Sequence, residues 1–409
     1  MVIKREGIFT YHVSQDRQRK NLSILELIRK KGPISRADIS RMLGLNIVSV
    51  SNYLDFYINK KMILEVGYDV SSGGRRPELL ELNARSAYIV GVDIGPDNMK
   101  AVITDLQVNV ISSAYAPRPN VSMEDLAGYC IKVIEEAIDK SNLDKTAIKN
   151  IGIGTSGIID YVTGTIHDTD PVRGRSKANL LKFCKAIEGK FYVPVYIGND
   201  ASCAAFGEKT LNHTADVENL LYVYSDVGLG IVIQDDVYCG SSGCAGEIQL
   251  VFSGLQKDEK SVIKEYTHMR PWGVDLGVVM EAVRAIDKGV STQILSIVGG
   301  DVTKITKEVI IAAAKQRDKL AVELVSNAAR NLGVRVAYFV NIFNPDIVVI
   351  GGGVEKSGEV FMDAIKETVK KFSFEEPASI VKIIPTFLED NSVVLGAAAL
   401  AAREVFIET

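Results

Sequence analysis

Residues 91–106 read GVDIGPDNMKAVITDL: a strand-like run, an acid, a glycine turn and a second strand-like run. A hairpin of that outline grips phosphate, because glycines let backbone N–H groups come close to the oxygens. Asp93 and Gly95 keep the outline, but Pro96 has no N–H to donate and Asp97 brings a negative charge. A second polar punctuation is Asn199–Asp200, at the end of VPVYIGND. An amide and a carboxylate there can take paired hydroxyl groups of a ligand, or cap the helix that follows; the residues leave both roles open. Glu247 follows the small-residue run GCAG, where it could enter a cleft or stand as a solvated turn acid.

The chain that must position these groups has 409 residues, which suggests two or three domains. It is 47% apolar and 24% charged, with a net charge of −4, which fits a soluble globular protein and not a basic nucleic-acid coat. Basic residues instead gather in residues 1–42 and at Arg75–Arg76. Cys130, Cys184, Cys203, Cys239 and Cys244 are odd in number and lack Cys-x-x-Cys spacing, which points to buried thiols in a reducing compartment. No apolar run reaches the ~18–20 residues of a membrane span, and the N-terminus lacks an apolar signal core. A cytoplasmic protein without membrane contact is expected.

Residues 1–15 show no period and are expected to form a flexible arm. RKNLSILELIRKKG then places Leu22, Leu25 and Ile28 on one helical face, and Gly32–Pro33 stops it. SRADISRMLG gives a short helix that Ser35 can cap, with Asp38 three residues on and Gly44 marking the turn. Asn46 can cap a third helix, in which Val50, Leu54 and Tyr57 or Ile58 face inward. Ile47, Val48, Ser49, Asn52 and Tyr53 are left facing out. MILEVGY and PELLELN are strand-like, and the polar loop DVSSGGRRP between them makes a wing. This is a winged helix-turn-helix over residues 16–83. Its third helix would enter the major groove: Ser49 and Asn52 reach base edges, and Ile47 or Val48 a thymine methyl. Arg75 and Arg76 at the wing tip reach phosphates or a narrow minor groove. A helical module that docks another protein is the competing reading of the same residues.

From residue 84 strands and helices alternate twice in a comparable order, giving two α/β lobes at about 84–215 and 216–409. Ligands in such folds bind at strand ends and domain interfaces. The candidates are therefore Asp93–Asn98, Thr155–Gly157, Asn199–Asp200, Ser225–Gly230, Gly243–Glu247 and Gly351–Gly353.

ISRADISRMLGL with SSGGRRPELLELN, then GVDIG, GNDASCAAFGE, GCAGEIQ and IVVIGGG, stand in an order and spacing that resembles the ROK family of repressors and sugar kinases. The resemblance covers the chain from about residue 16 to the end and is nearest to the family's transcriptional repressors. It implies an α/β chain with an N-terminal winged helix-turn-helix followed by a two-lobed, actin-like and ribonuclease H-like sugar-kinase fold. It also implies that Asp200 matches the kinase base, Asn199 a sugar ligand and Glu247 an acid that grips ring hydroxyls, with Gly157 lining the same site. GVDIG matches a first phosphate turn, Ser225–Gly230 a second, and IVVIGGG the segment near the adenosine.

The departures from that pattern matter as much. The family's first turn runs DIGGT, where this chain has Pro96 and Asp97. In the second turn Tyr224 and Asp226 replace glycines, and Ser225 stands for a threonine. Asp97 and Asp226 could share a magnesium ion, but two altered turns favour a lost grip on ATP. The family's structural zinc is also missing from the sequence: Leu250 occupies the histidine position, no cysteine follows Cys244, and His268 alone is not a site. The expectation is a non-enzymatic regulator with no cofactor and no metal, a repressor of carbohydrate-utilisation genes such as those for xylose. Its partners would be double-stranded operator DNA and a sugar effector, and it would act as a homodimer or homotetramer. An active sugar kinase is the alternative.

Overall fold

The computed structural model describes residues 7–9, 16–68, 76–167, 177–212, 217–224, 228–248 and 277–407. They fall into two compact units, Met1–His213 with Val393–Thr409, and Thr214–Ser392.

The first unit begins with α1 (Asp16–Lys31), β1 (Ile34–Ser35), α2 (Arg36–Leu43), α3 (Ile47–Asn59), β2 (Ile63–Tyr68) and β3 (Glu78–Leu82). The local chemistry sets these boundaries. The Ser35 hydroxyl accepts from the Asp38 N–H, Gly44 ends α2 in the left-handed region at φ 63°, and the Asn46 side chain accepts from the Val48 N–H. Ile24, Leu25, Ile28, Ile39, Val50, Leu54 and Tyr57 close the small core. The two wing strands pair antiparallel, and β1 adds a third strand on the far side of β3.

There follow β4 (Tyr88–Ile94), β5 (Asn98–Asp105), β6 (Val110–Pro117), α4 (Met123–Ser141), β7 (Ile148–Thr155), β8 (Ile158–Asp160), β9 (Thr165–His167), β10 (Lys177–Asn179), α5 (Leu180–Phe191), β11 (Val195–Asn199) and α6 (Asp200–Leu211). The main sheet has the order β11-β7-β4-β5-β6, with β4, β7 and β11 parallel. Its central strands read as continuous apolar runs because both faces are covered. The little sheet β8–β10 and helix α5 are additions to the sequence-based outline.

The second unit repeats the scheme: β12 (Leu220–Tyr224), β13 (Gly228–Ile233), β14 (Asp236–Val237), α7 (Val278–Asp287), α8 (Gln293–Ile297), α9 (Lys307–Lys315), α10 (Lys319–Phe343), β15 (Ile347–Gly351), α11 (Glu359–Phe372), α12 (Glu375–Ile380) and β16 (Lys382–Pro385). Its sheet order is β14-β13-β12-β15-β16, again a meander followed by two parallel neighbours. The chain ends in α13 (Ser392–Ile407).

Two expectations about organisation need correction. The closing helix does not belong with residues 216–409, because from Val393 onward it joins the first unit. There Gly91, Gly152 and Gly396 let backbones touch: a Cβ at Gly396 would overlap the Cys203 carbonyl of α6, and one at Gly152 the Ala397 carbonyl. The arm over residues 1–15 is not loose throughout either. Ile8 makes a parallel bridge to Ile197 on the edge strand β11, the Ile197 N–H donates to the Gly7 carbonyl at 2.9 Å, and Phe9 stacks on Tyr196 with ring centroids 5.8 Å apart. A bare sheet edge supplies partners that a local sequence period cannot announce.

Candidate functional site

The third helix of the N-terminal module leaves its first turn in solvent. Its N-terminal turn is open: Ile47 is 43% and Val48 63% exposed, and Ser49 and Asn52 are exposed beside them. Val50, Leu54 and Tyr57 pack inward, while Tyr53 is half-buried. Arg76 is exposed just before β3; Arg75 lies outside the described residues.

Sequence reasoning missed what ties this helix to the wing. The Arg36 guanidinium reaches Asp55 on α3 at 3.3 Å, Glu65 on β2 at 3.5 Å and Glu78 on β3 at 3.2 Å. One planar five-donor group thus fixes three elements relative to each other. No periodic signal marks it, since its three partners meet only through the fold.

In the first unit β4, β7 and β11 end level. Ile94 pairs with Thr155, and Thr155 pairs with Asn199. At that edge Asn199 is the N-cap of α6: its Oδ1 accepts from the Ser202 N–H at 3.2 Å, and its Nδ2 donates to the Gly157 carbonyl at 3.3 Å. The helix-cap role is therefore occupied, and the same amide ties β11 to the turn after β7. Gly157 is needed there: its φ is 118°, and a Cβ would come 2.9 Å from the His167 carbonyl.

Asp200 opens α6 and is buried, with its Oδ1 accepting from the Ala201 N–H at 2.7 Å. Burial pushes its carboxyl up to about 6, against the pull of hydrogen bonds from backbone N–H groups and from Asn199. Asp93, at the end of β4, is pushed up to about 7 by burial and by the charge of Asp200, against the pull of Lys100. The negative charge of Asp200 thus acts on half-buried Asp93, and both carboxyls stand above the ordinary carboxylate range. Asp93 was legible as a strand-end acid, but its pairing with Asp200 was not.

The first turn is held from an unexpected quarter. Arg118, just past β6, donates to the Gly95 carbonyl at 2.9 Å, and its own N–H donates to the Asp97 carbonyl at 2.9 Å. Pro96 and Asp97 are exposed on this turn. The tip of this turn lacks an N–H at Pro96, which removes one donor that a phosphate could use.

In the second unit the GCAGE segment is stitched to β13. The Leu229 N–H donates to the Gly246 carbonyl at 2.8 Å, and Glu247 bridges to Gly228. Glu247 itself is exposed. Ser225, Asp226, Leu250 and His268 lie outside the described residues. Gly351 ends β15, and Gly352 and Gly353 follow with φ of 78° and 91°. Among the described residues no group of three His, Cys, Asp or Glu could hold a metal ion, and no helix is long and apolar enough to cross a membrane.

Comparison with known proteins places the chain in a family. The ROK family model matches residues 89–251 and 282–404. The chain is 30% identical over 392 residues to the xylose repressor of Caldicellulosiruptor bescii, covering 95% of this chain and 96% of that one. It is 24% identical over 395 residues to the DNA-binding transcriptional dual regulator NagC of Escherichia coli K12, covering 95% and 93%. Among solved structures, a ROK family transcriptional regulator homologous to the E. coli MLC protein superposes with a TM-score of 0.76 at 23% identity, over 95% of this chain and 96% of that one. A ROK family glucokinase from Streptomyces griseus, solved with glucose and AMPPNP, gives a TM-score of 0.63 at 23% identity, over 77% of this chain and 99% of that one. The fold is thus a winged helix-turn-helix joined to an actin-like, kinase-like body, and the chain belongs to the ROK family.

Proposed function

We propose that this protein is a sugar-responsive transcriptional repressor of carbohydrate-utilisation genes. The observation that carries the reading is the open N-terminal turn of α3, with Ile47, Val48, Ser49 and Asn52 exposed on a winged fold that Arg36 braces. Relatives matched over nearly their whole length are named as repressors, two of them for xylose and N-acetylglucosamine. Two protomers would present two such helices to a near-palindromic operator, about 34–36 Å apart or a multiple of it. Ser49 and Asn52 read base edges there, and Arg75 and Arg76 hold phosphates.

The effector is a sugar held at the corner between β11 and α6. Asp200 accepts hydroxyl protons, Asn199 keeps the corner rigid while offering its amide, and the Gly157 backbone lines the floor. Glu247 enters this assignment on the family resemblance alone. Sugar alters operator affinity only through different affinities for two states of the protein. Titration calorimetry with xylose and with N-acetylglucosamine tests the corner. Wild type binds one of them, and Asp200→Ala loses at least tenfold; equal binding by both proteins removes Asp200 from the site.

A second reading, sugar kinase activity, is favoured by one observation: a buried carboxylate with a pKa of about 6 suits a general base. Against it stands the Pro96–Asp97 turn, which opposes tight phosphate binding. ATP turnover on a panel of sugars, abolished by Asp200→Asn, would establish the kinase; no turnover on any sugar ends it.

A further inference from the structure

The N-terminal module and the β11–α6 corner are joined by contacts that none of the roles above requires. The segment Val195–Leu211 runs up β11, turns at Asn199–Asp200 and continues down α6. From Asp200 to Thr210 every residue of α6 is buried. At its far end the Thr210 carbonyl, one of those a helix terminus leaves without an internal partner, accepts from the Arg29 guanidinium of α1 at 2.5 Å. A cation is favoured there by the helix dipole as well. Arg29 is oriented for this by a two-point grip on Glu26, at 2.9 and 2.7 Å. Burial pushes the Glu26 carboxyl up, but Arg29, Lys30 and Lys209 of α6 together hold it below the usual range. At the other end of the segment, Ile8 bridges Ile197, two residues before Asn199.

We propose that the β11–α6 segment is the lever by which an occupied corner is felt by the DNA-reading module, with Arg29 on Thr210 as its coupling point. The inference rests on the sugar-sensor reading of the corner. A helix sealed along its length cannot shift at its first residue without moving its last, because packed interiors do not deform continuously. Twelve residues place those ends about 18 Å apart. The module also meets this body at Phe406 of α13, which lies edge-on to Tyr57 with ring centroids 5.8 Å apart and whose carbonyl accepts from the Tyr57 hydroxyl at 3.5 Å.

The test is a linkage measurement on the full chain. Affinity for a genomic DNA fragment captured by the wild type is measured with and without saturating xylose or N-acetylglucosamine, for wild type, Arg29→Met and Arg29→Lys. In wild type the two affinities differ at least fivefold. In Arg29→Met the sugar-free DNA affinity and the sugar affinity each stay within threefold of wild type, while the sugar-induced change falls below twofold. Arg29→Lys, which keeps a donor, restores part of it. An unchanged sugar effect in Arg29→Met overturns the lever and leaves the sensor reading standing. A wild type that binds DNA but responds to no sugar ends the sensor reading, and the lever with it. Hydrogen exchange on the wild type needs no variant: sugar must change protection at Asp16–Lys31 as well as at residues 200–211, and a change confined to the latter overturns the proposal.

Discussion

Two helices of this chain start alike and are used in opposite ways. Both α3 and α6 are capped by an asparagine, Asn46 and Asn199, whose side chain accepts from an N–H of the first turn. Helix α3 then leaves its N-terminal turn in solvent, with Val48 63% exposed. Helix α6 buries every residue from Asp200 to Thr210, using Ala201, Ser202, Cys203, Ala204 and Ala205 to let neighbours approach. An open turn can meet a changing partner such as a DNA groove; a sealed one can hold a fixed set of polar groups and transmit their displacement. The cap therefore says where a helix starts, and its flanking side chains say what it is for.

The contrast predicts unequal costs for small substitutions. Gly396→Ala inserts a methyl group against the Cys203 carbonyl of α6 and should cost about 3 kcal/mol by urea unfolding. Val48→Ala on the open face of α3 should change stability by less than about 0.5 kcal/mol. Equal costs would break the distinction between a sealed and an open helix.

Function should respond in the reverse sense. Ser49→Ala combined with Asn52→Ala should leave unfolding unchanged and weaken binding to the captured DNA fragment about 10- to 100-fold. Unchanged affinity would remove the face of α3 from recognition.

The start of α6 should also carry a pH signature. Asp93 and Asp200 are both raised above the ordinary carboxylate range, so the folded chain keeps their protons to higher pH than the unfolded chain does. Stability from this source is complete below about pH 4 and is lost as pH rises through about 6 and 7. Asp93→Asn removes the repulsion. It should gain about 1–2 kcal/mol over wild type at pH 7.5 and nothing at pH 4, read from unfolding at both values. A gain of equal size at both values would mean that the charge of Asp200 does not act on Asp93. The cap contributes modestly: Asn199→Ala should cost about 1 kcal/mol and Asn199→Ser almost none. If both variants still bind sugar as wild type does, the Asn199 amide is a cap and not a ligand.

Much of this was legible in the sequence wherever the cause is local. Ser35, Gly44 and Asn46 announce their caps, and the spacing of Val50, Leu54 and Tyr57 gives the inward face of α3. The repeated run of strands gives two lobes, because short turns force neighbours to pair. Helix α5 was missed although it carries a local signal: Leu180, Phe183, Cys184 and Ile187 keep a helical spacing behind the Asn179 cap. The rest depends on meetings across the chain. Asp93 approaches Asp200 only through strand register, Arg36 finds three acids on three elements, and Gly7–Phe9 needs the bare edge of β11. The return of α13 to the first unit is equally invisible, because its apolar residues declare burial and not against what.

The central claim is that one chain reads DNA and a sugar together. Purified protein mixed with genomic fragments at moderate salt, with and without xylose, N-acetylglucosamine and a wider sugar panel, tests it most directly. The account predicts one specific fragment, bound with a steep salt dependence, and released or retained when one sugar is present. Recovery of no specific fragment under any of these conditions would contradict it.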